Sequence, residues 1–327
     1  MVNEQTPLIP QPVGSISDRR QQRKREATGL LCMALSALGF SLMSLFVKLS
    51  GSSFPSFEIV FARSIIQTIL GLIGCFILRV HPLGDPKVRP WLAFRGLVGS
   101  LGLALFFYSI TKLPLADATV IFFLGPTFTA ILAAIVLGES FTLFDGICSA
   151  LCLVGVILVS KPEFLFGSNN GDFINEDASW TRILAILCSL LGAVMSAFAY
   201  VTVRRIGKGA SYMVHVVYFG GISTVVSALG MWLWQGYISP SGWKEYTMLL
   251  LVGISAFIGQ CLLNQGLQMA PAGPGTLMRM NDVVFAFLFG ILILHEYPDI
   301  YSVSGACLIV LMTTALGLHK WWSSTRH

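Results

Sequence analysis

Three arginines, Arg63, Arg95 and Arg279, lie inside long apolar runs of this 327-residue sequence, where a guanidinium has no ordinary place. Insertion scales put an arginine at a helix centre in lipid at about +2.5 to +3.5 kcal/mol, so such a residue survives where it faces the protein interior and a partner or ligand. Arg63 and Arg279 each sit about two turns into their run, and both are candidates to bind an anionic substrate. The competing reading is an ion pair that ties helices together: Glu58, Asp117 or Asp282 for Arg63, and Asp282, three residues on, for Arg279. Arg95 lies about one turn from the end of its run and is expected to snorkel to the interface.

Polar residues near these arginines complete the candidate site. Asp282 is the deepest acid, either a proton or cation coupling group or the partner of an arginine. Asp117 and Glu58 lie near one mouth of the spans and read as gate or interface residues. Gln260 and Asn264, four apart with Gln268 a turn further, make a polar stripe that must point away from lipid, and with Gln265 they are expected to line a pore. Asn281 adjoins Asp282. Tyr108 can stack on or bond a ligand, or simply pack. The segment 271–275, Pro-Ala-Gly-Pro-Gly, interrupts a helix start, the device by which transporters free backbone amides for a ligand.

Other chemistries find no support in the sequence. The seven cysteines fall inside apolar runs with no Cys-x-x-Cys pair and read as packing residues. Asp145 and His215 read as satisfied structural groups. No nucleotide-binding loop, triad spacing or metal cluster appears, so no catalytic residue, metal or cofactor is expected. A net charge of +5 gives no basis for a nucleic-acid partner.

The elements that position these residues follow from composition. The chain is 55% apolar and only 11% charged, with a mean hydropathy of +0.76. A soluble domain carries about 25% charge, so the solvent for most of this chain is lipid. Ten runs are long enough for a hydrocarbon core of about 30 Å: 29–49, 56–78, 91–110, 115–137, 141–160, 181–203, 211–234, 246–269, 272–294 and 301–318. Runs this long and unalternating are helices, not barrel strands. The sequence therefore predicts an all-α membrane protein with ten transmembrane helices.

Basic residues orient the spans. With the amino terminus in the cytosol, thirteen fall on that side (Arg19, Arg20, Arg23, Lys24, Arg25, Arg79, Lys87, Arg89, Arg204, Arg205, Lys208, Lys320 and Arg326). Five fall on the other: Lys48, Lys112, Lys161, Arg182 and Lys244. This is the positive-inside bias, so both termini are expected in the cytosol, and all seven tryptophans fall near span ends, as an interfacial belt requires. Residues 1–28 are expected to be a disordered cytosolic tail, 161–180 an acidic non-cytosolic loop and 319–327 a second cytosolic tail. Within the first tail, Glu4, Leu8 and Ile9 have the acidic-x-x-x-Leu-Ile form of an adaptor-read sorting signal, which would direct the chain to an endosomal, lysosomal or vacuolar membrane. The plasma membrane is the alternative.

A shift of 157 residues superimposes the two halves. Leu92, Gly96, Gly102, Leu105, Pro114, Thr119, Phe128, Leu137 and Glu139 fall on Leu249, Gly253, Gly259, Leu262, Pro271, Thr276, Phe285, Leu294 and Glu296. Each half, 29–160 and 181–318, then holds five helices. An odd number makes the second copy enter the membrane inverted, the arrangement of secondary transporters with a site between the halves.

The five-plus-five arrangement, the Leu-Gly138-Glu139 ending of the fourth span and the turns at Pro114 and Pro271 resemble the EamA-type drug/metabolite transporter superfamily. Four further stretches resemble the G branch of solute carrier family 35: Leu-Phe-Val-Lys at 45–48, Leu-Ala-Asp-Ala-Thr-Val-Ile at 115–121, Lys-Pro-Glu-Phe-Leu-Phe-Gly-Ser at 161–168 and Asp-Val-Val-Phe-Ala-Phe at 282–287. The resemblance implies transport of a small organic metabolite by alternating access, and the intramembrane arginines make an anion the leading expectation. Two alternatives stay open. One is a regulator of calcium handling that acts through a partner membrane protein; the other is an exporter of neutral or amphiphilic solutes in which the arginines are structural.

Overall fold

A computed structural model describes residues 16–49, 54–110, 112–113, 115–160, 165, 176–240, 242–295 and 299–326. The elements are α1 (Ile16–Leu49), α2 (Ser56–Ile77), α3 (Arg89–Ile110), α4 (Leu115–Phe122), α5 (Gly125–Leu137), α6 (Leu143–Ser160), α7 (Glu176–Ile206), α8 (Tyr212–Gly230), α9 (Trp243–Met269), α10 (Ala272–Met278), α11 (Asn281–Leu292) and α12 (Ile300–Arg326). A 3-10 turn at Gly207–Gly209 precedes α8, and a π-helical turn at Met231–Gln235 continues it. The pairs α4/α5 and α10/α11 each make one broken span, so ten helices are long and apolar enough to cross a membrane. An even number of crossings puts both ends of the described chain on one face, called here the terminal face.

Packing between elements repeats with the symmetry of the sequence. Contact of α1 with α9 is matched by α7 with α3, α3 with α8 by α9 with α2, and α5 with α7 by α11 with α1. The pairs α2/α8 and α6/α12 are their own equivalents. Each half thus completes its contacts through the other.

Glycines let the central crossings close. A Cβ at Gly39 on α1 would fall 2.9 Å from the Cα of Gly259, and one at Gly102 on α3 would fall 2.9 Å from the Gly192 carbonyl oxygen on α7. Gly259 and Gly102 are themselves equivalent under the shift. In lipid, where apolar burial drives no association, such close backbone packing supplies the attraction between helices.

The expected tails need correction. α1 begins at Ile16, so much of the stretch read as disordered is helical, and α12 runs on to Arg326. The sequence 18–26 consists largely of helix-compatible polar residues with i, i+4 partners: Gln22 Nε2 donates to Glu26 Oε1 at 3.1 Å. The 34 residues of α1 extend about 50 Å at 1.5 Å each, well beyond a bilayer core. α7 likewise starts at Glu176, inside the expected acidic loop. The sorting pattern at Glu4, Leu8 and Ile9 lies outside the described residues.

Candidate functional site: an arginine cluster inside the bundle

The two broken spans break at equivalent places. Between α4 and α5 the helix tightens at Leu124, whose N–H donates to the Ile121 carbonyl at 3.2 Å. Between α10 and α11 it tightens at Arg279 and Met280, whose N–H groups donate to the carbonyls of Thr276 (3.2 Å) and Leu277 (3.0 Å). A short stretch of such i−3 bonds within a span marks a hinge or a functional position. The expectation that 271–275 itself is interrupted is therefore displaced. Proline is accommodated in the first turn of α10, where its missing N–H costs little, and the break comes one turn later.

Arg279 stands at that break. Its guanidinium lies 4.6 Å from the centroid of the Phe40 ring on α1 and 5.8 Å from that of Tyr200 on α7, and its Nη1 donates to the Tyr200 hydroxyl. Arg63, 3% exposed on α2, points Nη1 at the Met43 sulfur at 3.4 Å. Phe40 and Met43 are one turn apart on α1, so the two guanidinium groups approach the same part of that helix. Arg63 lies within electrostatic range of Arg279 and Tyr200, and Arg95 within range of Tyr200 as well. Tyr200 itself contacts Arg279, through both its hydroxyl and its ring.

Arg95 requires a correction. It does not snorkel: it is 2% exposed and turns into the bundle. Its Nη2 donates to Asn264 Oδ1 at 3.0 Å and to Gln260 Oε1 at 3.4 Å, and Nη1 reaches the His215 carbonyl at 3.5 Å. The Phe219 ring lies against the guanidinium at 4.7 Å from its centroid. Arg95 is six residues into α3, about 9 Å along the axis, and acceptors on α9 offer it more than the interface does. The polar stripe on α9 faces inward, but its two buried amides are engaged by an arginine.

The remaining candidates divide. Asn281 braces the break, donating to the Met278 carbonyl at 2.9 Å and accepting from Thr313 at 3.4 Å. Asp282 is half-buried beside it, within electrostatic range of Arg279, and its carboxylate makes no hydrogen bond or ion pair to another described residue. Glu58 is buried and accepts the Ile238 N–H at 3.0 Å, which pins the segment after α8 and gives Glu58 no bond to Arg63. Gln265 is half-buried near the terminal end of α9. Tyr108 lies thirteen residues beyond Arg95 on α3, about 20 Å along the helix and so far from Arg95. The Asp117 side chain lies outside the described residues. Asp145 is a helix cap: its Oδ2 accepts Thr142 N–H at 3.0 Å, and its own N–H donates to Thr142 Oγ1 at 3.2 Å.

Two participants were absent from the sequence reading. Tyr200 sits in an apolar-aromatic stretch, and only its contact with a residue 79 positions away reveals it. Gln67, one turn from Arg63 on α2, is fully buried, and neither amide atom has a partner among the described residues. Its i+4 spacing from Arg63 was a usable signal.

Electrostatically the cluster is unbalanced. Among the described residues none of the three guanidinium groups forms an ion pair with a carboxylate. Within the cluster, three arginines against Asp282 leave a formal charge of +2. Arg63, Arg95 and Arg279 also each keep an Nε with no acceptor among the described residues. Fixed guanidinium donors without counter-ions, flanked by aromatic faces, suit a carboxylate, phosphate or similar anion. No group of three or more metal-ligating side chains occurs among the described residues.

Known proteins agree with this architecture. The chain is 32% identical over 299 residues to solute carrier family 35 member G1 of Homo sapiens, covering 91% of this chain and 81% of that one. It is 29% identical over 296 residues to the pseudopaline exporter CntI of Pseudomonas aeruginosa, covering 90% and 97%. A solved crystal structure, 18% identical, superimposes with a TM-score of 0.76 over 90% of this chain and 99% of its own, and so shares the fold. The model of the EamA-like transporter family matches twice, at residues 27–161 and 183–317, an offset within one residue of the 157-residue repeat. With two matched repeats, ten spans and a charged interior, the chain belongs to the EamA-like transporter family and is a membrane transporter of a small molecule.

Proposed function

We propose that the protein is a secondary transporter that carries a small organic anion across its membrane by alternating access. The observation that carries this reading is the set of three arginines inside the spans, Arg63 and Arg95 buried and Arg279 half-buried, with no carboxylate paired to any of them among the described residues. Removing one partner from a buried ion pair costs about 3–5 kcal/mol because the other charge is stranded. A fold that keeps this many uncompensated cations in its interior is stabilised when an anion enters.

In this reading Arg63 and Arg279 hold the anion, Tyr200 orients Arg279, and Arg95 stays bound to the α9 amides and contributes field. Asp282, near Arg279 and without a hydrogen-bond or ion-pair partner among the described residues, is the group that couples a proton or balances charge. Both termini face the cytosol, by the excess of basic residues on that side. The exporter among the relatives supports movement of substrate out of the cytosol.

Uptake into proteoliposomes across a panel of organic anions and neutral solutes tests the reading. Arg63→Ala and Arg279→Ala should each lower anion uptake about tenfold or more, as loss of a charge-assisted hydrogen bond predicts, while leaving the protein folded. Undiminished anion uptake by both variants would refute it.

A further inference from the structure

A glutamine inside a membrane-spanning helix is costly unless its amide meets a partner. Gln67 on α2 is fully buried, yet neither its Oε1 nor its Nε2 has a hydrogen-bond partner among the described residues.

The direction of Gln67 follows from what α2 packs against. Ile66 faces α9, where a Cβ at Gly253 would fall 2.7 Å from its side chain. Ser64 and Thr68 face α8: Ser64 Oγ donates to Ser223 Oγ at 3.1 Å, and a Cβ at Gly220 would fall 3.2 Å from the Thr68 nitrogen. Counted at about 100° per residue from Ile66, Arg63 lies at about 60°, Gln67 at about 100° and Ser64 at about 160°. Arg63 and Gln67 therefore share the sector that looks into the bundle between α9 and α8. The exposed Ile69, Leu72 and Phe76 occupy the opposite side. The i+4 spacing sets Gln67 about 6 Å from Arg63 along the axis, on the side of the terminal face.

The gap that Gln67 faces is polar from its far side as well. Arg95, entering from α3, donates to the His215 carbonyl on α8 and to Asn264 on α9, and so spans the same two helices. Gly220, which packs at Thr68, follows Phe219, whose ring covers the Arg95 guanidinium. Arg95 Nε, Asn264 Nδ2 and both ring nitrogens of His215 are buried with no hydrogen-bond partner among the described residues. Four helices thus leave unused hydrogen-bonding atoms around one gap.

We infer that Gln67 sets the specificity of the site: its amide bonds a neutral hydroxyl or amide group that the organic anion carries beside the charged end held by Arg63. The inference rests on the anion reading and adds a second recognition element to it. A glutamine amide presents a donor and an acceptor together, which a hydroxyl or an amide matches and a hydrocarbon chain does not. A substrate hydroxyl gives the amide the partner that no described residue supplies. A site built to bond such a group rejects the analogue that lacks it, because its buried polar atoms are then stranded.

Matched acids test this in the full-length protein reconstituted in liposomes. The probes are straight-chain carboxylates of three to five carbons, each with and without one hydroxyl or one terminal amide. The parent should favour the hydroxylated or amidated member of at least one pair about tenfold or more in kcat/KM, and in Gln67→Leu that preference should fall below about twofold. Leucine fills similar space and removes an amide that no described residue bonds. With no substrate added, Gln67→Leu should therefore unfold at a temperature at least as high as the parent in detergent, followed by tryptophan fluorescence. A parent that treats both members of every pair alike overturns the inference, as does a preference unchanged in Gln67→Leu. A Gln67→Leu protein that is less stable than the parent, or does not fold, also overturns it, since the amide would then hold a structural bond. The anion reading fails differently: neutral solutes would compete as well as every acid, in parent and variant alike.

Discussion

Asn264→Leu isolates what holds Arg95 inside the bundle. Three acceptors surround the guanidinium, at 3.0 Å (Asn264 Oδ1), 3.4 Å (Gln260 Oε1) and 3.5 Å (His215 carbonyl). Ordinary N–H to oxygen bonds span about 2.7–3.2 Å, so only the first is at full strength. A hydrogen bond to a charged group contributes about 1.5–3 kcal/mol, and leucine fills similar space without an acceptor. Arg95 would be left with two stretched bonds and the Phe219 face, which adds about 0.5–2 kcal/mol. Asn264→Leu should therefore cost about 2 kcal/mol of unfolding free energy, and Gln260→Leu less than about 1 kcal/mol. Arg95→Met strands both amides and should cost about 2–3 kcal/mol. In Arg95→Met/Asn264→Leu the bond is removed from both ends, so the loss should fall short of the sum by about 1.5 kcal/mol or more. Unfolding by denaturing detergent in mixed micelles, followed by tryptophan fluorescence, measures all four. Equal losses for Asn264→Leu and Gln260→Leu, or strict additivity in the double variant, would refute the assignment of Asn264 as the main anchor.

Two further outcomes follow from the geometry. Gly102→Ala puts a Cβ 2.9 Å from the Gly192 carbonyl and 3.0 Å from Ser196 Oγ, so the α3/α7 crossing must spread, at about 1–3 kcal/mol. Gly221→Ala meets nothing within 4 Å and should be near neutral in the same unfolding assay; equal losses would contradict the packing argument. Tyr200→Phe removes the acceptor from Arg279 and keeps the ring, so anion uptake should weaken about three- to tenfold in KM. An unchanged KM would take Tyr200 out of the site.

The span pattern was legible because lipid imposes a simple rule, about 20 apolar residues per crossing, and the chain obeys it ten times. The inverted repeat was legible because glycines at crossings cannot drift: Gly102 and Gly259 align in sequence because each sits where another helix comes close, Gly102 against the Gly192 carbonyl and Gly259 against Gly39 and the Phe40 ring. Arg63 and Arg279 were legible as costly residues, though not their shared approach to Phe40 and Met43. Arg95 was misread because depth along a helix says nothing of direction around it. The stripe that receives it was visible on α9, but matching a donor on one helix to acceptors 165 and 169 residues away requires the packing. Tyr200 gave no warning, since a tyrosine costs little in an apolar span until an arginine is beside it.

Scaffold and charge obey different symmetries, and the difference suits a transporter. Helix contacts, glycine crossings and the two broken spans repeat between halves, so two conformations that exchange the roles of the halves have similar packing. The charges do not repeat: Arg63 falls on Gly220, Arg95 on Val252, and Arg279 and Asp282 on Phe122 and Gly125. A symmetric charge set would put two copies of each cation in the interior and double the cost of desolvating them. A single copy off the pseudo-twofold axis serves both conformations if the groups around it move little as the rims open and close. The links of the cluster fit that requirement, since Arg95 is held by α9 and α8 of the other half, and Arg279 by Phe40 on α1 of the other half and by Tyr200 on α7 of its own. In the proposed mechanism, near-equal packing makes the two states accessible, and charge without an ion-pair partner among the described residues makes occupancy by an anion the event that both states share.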